Sequence, residues 1–574
     1  MRARLAKGAL AALIGWGALG LAAGGQAEST PALQAALEAE LGRAMTGLKL
    51  PGQPSPYWIQ TEVLDGDVAT SRASFGALQS DDHDPYRSLR AEVRVGNYAL
   101  DSSNFEAGFG ERDGVSSRAL PIDDVPDALR REIWMSLDEA YKGATEVYAA
   151  KTAARAGKPA RETADLSEVT PLVTAPAPRP SADGDAVRAL AVELSGALAE
   201  FKELEEGRAI ARDWQGVRVL VSSEGAAAWI PTGYAVVVVQ ASARAADGAE
   251  LRDARWWVER DPSQFPPLDA LRAEVRAMGA ALVARRAAPV VEDFLGPVLF
   301  EHPAAVELFR QLLAAEVVGT PPMEAAADAF GGAPDAQPTA RIGRRLLPEG
   351  WSVFDDPTAQ PAEVGSYAYD FEGVAAQHVD LVVDGVVRDL LMSRIPRADR
   401  AVSNGHGRAL GMDRRGALPG LITVSPRREL SGRALVRKAL ALARQAGAPY
   451  ALVVSRMLSP SLNNAFQVSF SGDAPLSGLT APTEVYRLTP DGRREPVRGM
   501  SFVGVDRRVL RDIAAAGELG PAVGVLDGPP DRSRFNLGEV GGLPATWIVP
   551  PVLITELELR GASGGEPRVL PAPP

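Results

Sequence analysis

The four histidines of this 574-residue sequence are the side chains best suited to bind a metal ion or to move a proton near neutral pH. They are His83, His302, His378 and His406, and they lie so far apart that no local two-histidine metal motif exists. The complete absence of cysteine excludes disulfides, cysteine-ligated zinc, iron–sulfur clusters and cysteine nucleophiles. A catalytic metal site would therefore have to be assembled by the fold from distant segments.

The segment around His406 is the strongest candidate for binding a ligand. His406 lies between two glycines, which permit unusual backbone dihedrals and a close approach of the backbone to a ligand. The neighbouring asparagine and arginine could hold a peptide carboxylate or a peptide backbone. The alternative is an ordinary glycine loop that carries an exposed histidine. The predicted substrate-binding residues are Asn404, Gly405, His406, Gly407 and Arg408.

Three carboxylates could supply a second kind of chemistry. Asp370, Glu372 and Asp380 could together form a divalent-cation site at one end of a sheet, but turn capping and strand-edge charge are the favoured explanation. His406, His378 and Glu372 are the weak catalytic candidates of a hydrolase with a non-standard site. His378 begins a predicted strand, which also suits a purely structural role.

Other motifs favour structural roles. His302 and Glu307 are five residues apart with Pro303 between them, so we expect His302 outside the helix and Glu307 on a solvated helix face. His83 lies in an acidic segment that reads as a solvated loop. A serine nucleophile elbow needs a helix directly after the Gly-x-Ser-x-Gly sequence. The sequence at residues 561–565 has this pattern, but no helix is predicted after it. A net charge of −12 and 6% aromatic residues argue against a nucleic-acid partner.

The N-terminus has the pattern of a secretory signal. Three cations within the first seven residues precede the apolar stretch 8–23, and a small-x-small sequence follows at residues 25–27. The apolar run is short for a membrane span, which needs about 20 residues. We therefore predict a signal peptide at 1–27 and a periplasmic or secreted protein with no later transmembrane span. An uncleaved anchor and a buried N-terminal helix are the alternatives.

Hydrophobic periodicity predicts an α+β fold with an α/β N-terminal half and a β-rich C-terminal half. Alternation at Leu89–Val95 predicts a strand whose Arg90, Glu92 and Arg94 form a wet face. The predicted helices include 31–48, 126–151, 186–206, 268–286, 435–446 and 507–515. The predicted parts are the signal peptide 1–27, the α/β regions 28–170 and 181–290, the β-rich domain 291–560 and a disordered tail 561–574.

Several segments together resemble the TldD/PmbA family, also called the TldD/TldE metallopeptidase family. The most specific part of the resemblance runs from Gly296 to Arg408 and includes the strand Gly296–Phe300 with its following helix, the segments 369–374 and 381–387, and the segment 403–408. The N-terminal segments 57–59, 93–98 and 222–225 resemble an exported bacterial branch of the family. The resemblance implies an α/β domain followed by a β-rich domain, dimers, and an association with proteolysis of peptides or unfolded substrates.

At the decisive helix the sequence departs from the catalytic pattern. The resemblance implies a His-Glu-x-x-x-His motif on the helix after the Gly-Pro-Val-Leu strand, and a cysteine as a further zinc ligand. The matching helix, Ala304–Leu313, contains no histidine, and the chain contains no cysteine. None of the family's metal ligands can be carried over, so no metal site and no cofactor are predicted. The helix resembles that of the non-catalytic PmbA/TldE-type subunit.

The leading hypothesis is an exported, ligand-deficient relative of the peptidases that binds a peptide, an unfolded segment or a partner subunit of the family as a homo- or heterodimer. The first alternative is an active hydrolase with a rebuilt site around His406 and His378. It requires these histidines to converge with carboxylates in the fold. The second alternative is a structural protein of the cell envelope.

Overall fold

The computed structural model describes residues 31–107, 114–159, 162–291, 293–325, 340–408, 415–459, 479–527 and 542–561. The predicted signal peptide and residues 562–574 of the predicted tail lie outside these ranges. Within them, no helix combines the length and the apolar composition that crossing a bilayer requires. The predicted α+β class is confirmed, with helices and sheets in both halves.

One long sheet forms the base of the N-terminal half. It is antiparallel throughout, in the order β4-β2-β1-β5-β6-β7, and the two predicted α/β regions meet in it where β1 pairs with β5. The short strand β3 lies outside this sheet and pairs in parallel with the strand Glu324–Ala325 of the C-terminal half. The strands of this half are β1 (Pro56–Ser74), β2 (Ala77–Val95), β3 (Phe105–Glu106), β4 (Val115–Ala119), β5 (Leu204–Ser222), β6 (Ala227–Arg244) and β7 (Glu250–Glu259).

Helices cover one face of this sheet from end to end. The odd-numbered residues Ile59 and Val63 of β1 pack with the first two helices, and Ala69 packs with the next two. Because side chains alternate along a strand, the even-numbered residues of β1 point to the opposite face. The helices of this half are α1 (Pro31–Gly47), α2 (Pro126–Arg155), α3 (Gly184–Gly196) and α4 (Leu268–Arg285).

Two larger sheets form most of the described C-terminal domain, which also has a two-stranded sheet of Gly407–Arg408 and Gly416–Ala417. A central helix lies between the two larger sheets, and its apolar residues on all sides belong to the main core of the domain. The second helix covers the outer face of the larger sheet. The helices are α5 (His302–Val317) and α6 (Gly432–Gln445).

The larger sheet of this domain has the order β16-β21-β24-β8-β17-β18-β19, with β20 paired to β24, and the smaller has the order β12-β11-β10-β15-β23-β22. The strands are β8 (Asp293–Phe300), β9 (Glu324–Ala325), β10 (Trp351–Asp355), β11 (Val379–Val383), β12 (Val386–Val387), β13 (Gly407–Arg408), β14 (Gly416–Ala417), β15 (Leu421–Pro426), β16 (Glu429–Leu430), β17 (Ala451–Met457), β18 (Pro482–Leu488), β19 (Arg494–Val497), β20 (Met500–Phe502), β21 (Ile513–Gly517), β22 (Val523–Asp527), β23 (Leu543–Ile548) and β24 (Val552–Gly561).

Two helix predictions were too long. The segment predicted as a helix over 186–206 leaves the α-helix at Gly196, forms a 3-10 turn to Glu200 and becomes strand β5 from Leu204. The segment predicted over 507–515 is a 3-10 helix only to Asp512 and then strand β21. In both cases the end of the predicted helix is a strand that a sheet needs, because a short apolar run is compatible with either a helix or a strand.

Candidate functional site

Helix α5 follows strand β8 at the position that the family resemblance singles out. The helix begins at His302, with Pro303 in its first turn, where the missing proline N–H is not needed. The prediction that His302 lies outside the helix was therefore wrong. Its imidazole Nε2 lies 3.2 Å from the carbonyl oxygen of Pro521, and burial lowers the pKa of the ring. His302 therefore joins the helix start to the strand region before β22.

Glu307 is fully buried, so its predicted place on a solvated face was also wrong. One carboxylate oxygen accepts a hydrogen bond from Arg310 Nη1 at 2.8 Å, and the other accepts one from Gln311 Nε2 at 3.0 Å. Burial raises the pKa of Glu307, and the Arg310 charge opposes that rise. Because both oxygens are engaged inside the protein, Glu307 is poorly placed to activate water.

Arg310 is the centre of this cluster. Besides Glu307 it pairs with the carboxylate of Asp527 through Nε, donates to Ser459 Oγ at 2.8 Å and donates to the Leu526 carbonyl at 2.7 Å. The second oxygen of Asp527 accepts from Trp547 Nε1 at 3.1 Å. The guanidinium thus links α5 to the ends of β17 and β22.

The residues present around α5 do not fit the zinc ion that the family resemblance implies. A hydrolytic zinc needs three protein ligands and an open position for water. No group of three histidine, aspartate or glutamate side chains suited to a metal occurs among the residues that the structure describes. The two buried carboxylates at this helix, Glu307 and Asp527, both pair with the guanidinium of Arg310, which a metal cation would have to displace.

The segment of the predicted peptide site turns its polar side chains inward. His406 is fully buried, which excludes the exposed-histidine alternative, and its Nδ1 faces the backbone and side-chain oxygens of Asn404 at 3.1 and 3.0 Å. Arg408 is also buried and donates to the carbonyls of Pro419 and Pro544. Peptide binding here stays a prediction, but it can no longer rely on these two side chains as exposed contacts.

The environment of His406 fixes its tautomer. Two acceptors face Nδ1, so that nitrogen carries the proton. Nε2 has no hydrogen-bond partner, although Asp355 Oδ1 lies 3.4 Å away. That carboxylate is occupied by the backbone N–H groups of Gly420 and Leu421 at 2.8 and 3.0 Å. His406 is therefore an interior ring that Asn404 holds on its Nδ1 side.

Two of the three carboxylates considered for a cation site, Asp370 and Glu372, do come together. Asp370 accepts hydrogen bonds from the backbone N–H groups of Glu372, Val374 and Gly407. It therefore holds the turn 370–374 against the glycine segment 404–408. Burial and the neighbouring Glu372 carboxylate raise the pKa of Asp370 to about 8. Asp380 is exposed on β11 and pairs with His378 instead, so the three carboxylates do not form one group, in line with the favoured interpretation of turn capping and strand-edge charge.

His378 is also separate from His406. It is about half exposed, stacks on Phe354 and lies 3.2 Å from both Asp356 and Asp380. Burial lowers the pKa of His378, but the hydrogen bonds to Asp380 and Asp356 outweigh it and raise the pKa. His378 is thus a surface histidine, whereas His406 lies in the interior. His83, predicted in a loop, lies in β2 and pairs with Asp67 of β1 at 2.8 Å.

A charged cluster between the two halves was missed by the sequence prediction. The side chains predicted to form the wet face of β2 are buried, and Glu92 pairs with Arg90 and Arg94 at 2.7 Å each. Glu62 on β1 pairs with Arg218 on β5 and with Arg415 of the C-terminal domain. The C-terminal domain therefore covers the sheet face that would otherwise meet water.

The segments that resemble the exported branch converge at Glu224. This carboxylate accepts hydrogen bonds from Trp58 Nε1 at 2.9 Å and from the Tyr98 hydroxyl at 2.7 Å. It also binds both terminal nitrogens of Arg394 at 2.7 Å each, and the Arg394 backbone N–H donates to Glu372 at 2.7 Å. Segments far apart in the sequence thus meet in one interior network, a contact that no local pattern could indicate.

Comparisons with known proteins agree with this arrangement. A model of the PmbA/TldA metallopeptidase C-terminal domain matches residues 296–561. A protein named Metalloprotease from Methanothermobacter thermautotrophicus is 44% identical over 54 residues, which cover 9% of this chain and only 12% of that protein.

Solved structures extend the likeness to both halves of the chain. TldE from Thermococcus kodakarensis aligns with a TM-score of 0.58 and 11% identity over 92% of this chain and 100% of its own. A candidate modulator of DNA gyrase from Thermotoga maritima aligns with a TM-score of 0.55 and 12% identity over 88% of this chain and 96% of its own. At these identities the likeness shows the fold, a two-part α+β architecture. Residues 296–561 thus form a domain of the TldD/PmbA family.

Proposed function

We propose that this protein is an exported, non-hydrolytic member of the family that binds a peptide segment or a partner subunit. The observation that carries the proposal is the paired state of Arg310 on α5. The resemblance implies metal-binding histidines on this helix in catalytic members. Here the guanidinium of Arg310 already hydrogen-bonds to two buried carboxylates, Glu307 and Asp527, so a metal ion would have to displace it to reach them.

The proposed binding role is supported by the fold of this protein, which resembles that of the solved TldE structure. Sheet edges can accept an extended peptide as an additional strand through main-chain hydrogen bonds. Strands β16 and β19 end the larger sheet of the C-terminal domain, and β12 and β22 end the smaller one. A partner of the same family is the alternative occupant of such an edge, as a homo- or heterodimer.

The test is a metal analysis of the purified protein together with a peptidase assay on unfolded polypeptides. We expect no stoichiometric zinc and no cleavage. Hydrolysis that a chelator abolishes, or one zinc ion per chain, would overturn the proposal. The Glu307→Gln variant is the control, because activity that used this carboxylate as a base would disappear in it, whereas activity of a contaminant would persist.

The alternative of an active hydrolase with a rebuilt site has less support. It requires His406 and His378 to act together, yet one ring is fully buried beside Asp355 and the other is about half exposed beside Asp356. An envelope protein with a purely structural role remains the other alternative. Fluorescence anisotropy with labelled unfolded peptides separates it from the leading proposal, because a structural protein would not bind them.

The proposed export rests on the pattern of the first 27 residues. Expression of the full chain in a bacterium, followed by cell fractionation and mass determination, would test it. We expect a periplasmic or secreted protein that lacks the first 27 residues. A full-length protein in the cytosolic fraction would contradict the proposal.

A further inference from the structure

Helix α6 carries an unusually one-sided charge. Its sequence contains Arg433, Arg437, Lys438 and Arg444 and no carboxylate. Each of the other five α-helices among the described residues contains at least one aspartate or glutamate. Since the whole chain has a net charge of −12, the cationic surface of α6 stands out against an acidic molecule.

The arginines of α6 form a straight row. At 3.6 residues per turn, Arg433, Arg437 and Arg444 point in directions within about 40° of one another and span about 16 Å of the helix. All three are exposed. The residues on the other side of the helix, buried against the larger sheet, are Leu435, Ala439 and Ala443. The row therefore faces outward along the full length of a helix that is fixed to the domain.

Stability does not explain the row. None of the three arginines forms an ion pair with a carboxylate in the described part of the chain. Arg433 lies in the first turn, where the positive end of the helix dipole disfavours a cation and no acidic residue compensates. Arg433 and Arg437 are also four residues apart, a spacing at which like charges repel each other. An anion bound outside the helix would remove these penalties.

We propose that the arginine row of α6, extended by the exposed Arg427 and Arg428 just before the helix, docks the protein on the surface of an anionic lipid bilayer. A straight row on a flat-lying helix can bring all its charges to a plane at once, and each arginine adds to the attraction near an anionic surface. The apolar face of α6 is already buried, so the contact is electrostatic and involves no insertion. The helix contains no aromatic residue on which nucleic-acid bases could stack.

Vesicle co-sedimentation tests this proposal. The protein, produced with its own N-terminal segment, is mixed with vesicles of phosphatidylcholine alone or with about 30% phosphatidylglycerol, a composition with a negative surface potential. The test variant is R433Q/R437Q/R444Q. The control variant is R131Q/R276Q/R493Q, which removes three exposed arginines elsewhere and has the same net charge.

We expect binding to the anionic vesicles only, loss of that binding between about 0.05 M and about 0.5 M salt, and at least about tenfold weaker binding of the test variant. The control variant should bind like the parent. Equal binding of test variant and parent would overturn the proposal, as would equal binding to neutral vesicles or binding to heparin without binding to vesicles. If thermal unfolding shows that the triple variant is destabilised, the single variants Arg433→Gln and Arg444→Gln provide the same comparison.

Discussion

At the scale of single residues, the decisive feature is the number of internal partners that each polar side chain has. Arg310 donates hydrogen bonds to Glu307, Asp527, Ser459 and a backbone carbonyl, so its charge is paired within the core. Breaking a buried ion pair by removing one partner is costly because the remaining charge stays buried. This cost makes the role of Arg310 measurable.

The substitution Arg310→Met should lower the free energy of unfolding by about 3–5 kcal/mol, because it leaves Glu307 and Asp527 buried without a cation. Urea unfolding followed by circular dichroism measures the change. Arg131→Met, at an exposed position on α2, is the matched control and should change stability by less than about 0.5 kcal/mol. Equal stabilities of the two variants would show that Arg310 does not hold α5 in place.

At the scale of elements, the glycine segment 404–408, which ends in β13, is positioned by its contacts with the chain at residues 370–375. Gly405 has a φ of 77°, and a side chain there would collide with the backbone of Ala375. A side chain on Gly407 would overlap the Glu372 carboxylate. The two glycines therefore allow two buried chain segments to touch, which is a packing role and not a sign of a mobile loop.

The substitution Gly407→Ala should destabilise the protein by about 1–3 kcal/mol, because the new methyl group displaces a buried carboxylate. Gly432→Ala in α6 is the matched control, since no atom lies within 4 Å of the added methyl group. Alanine also favours a helix over glycine, so the control should be neutral or gain up to about 1 kcal/mol. Thermal unfolding compares the two variants, and a tolerated alanine at residue 407 would contradict the close contact.

At the scale of the whole molecule, the two halves are joined by buried polar contacts. Arg394 of the C-terminal domain binds Glu224, and Arg255 of β7 pairs with Glu484 of β18. One carboxylate at this junction, Glu259 at the end of β7, lies near other acids. Burial and the carboxylates of Glu363 and Asp261 raise the pKa of Glu259 to about 7. The junction therefore contains an acid that titrates near neutral pH.

Replacing this acid should change how stability depends on pH. The ordinary pKa of a glutamate is about 4.5, so the folded protein holds a proton on Glu259 between that pH and about 7 that the unfolded chain has lost. The stabilisation that this proton gives disappears as the pH rises through 7. We expect Glu259→Gln to match the parent protein at low pH and to unfold at a higher temperature than the parent at pH values above 7.

Calorimetry at pH values on both sides of this window provides the measurement. Glu250→Gln, at an exposed position on the same strand, is the control for loss of one negative charge. A stability difference between Glu259→Gln and the parent that does not change with pH would contradict the assigned titration.

The sequence by itself determined the α+β class, the resemblance of residues 296–561 to the TldD/PmbA family and the absence of histidine between residues 304 and 313. These follow from local periodicity and from short motifs, and both are visible without knowing which segments meet. It also predicted α2, α4 and α6 to within a few residues, because their apolar spacing and their ends are local features.

Only the tertiary structure decided which polar groups lie inside. Arg90, Glu92 and Arg94 alternate like a solvated face, but the C-terminal domain covers them. His406 has the surroundings of an exposed loop residue and is fully buried. Burial depends on contacts between segments hundreds of residues apart, and a buried charge is tolerated only where a distant partner balances it. No pattern along the chain records where that partner will be.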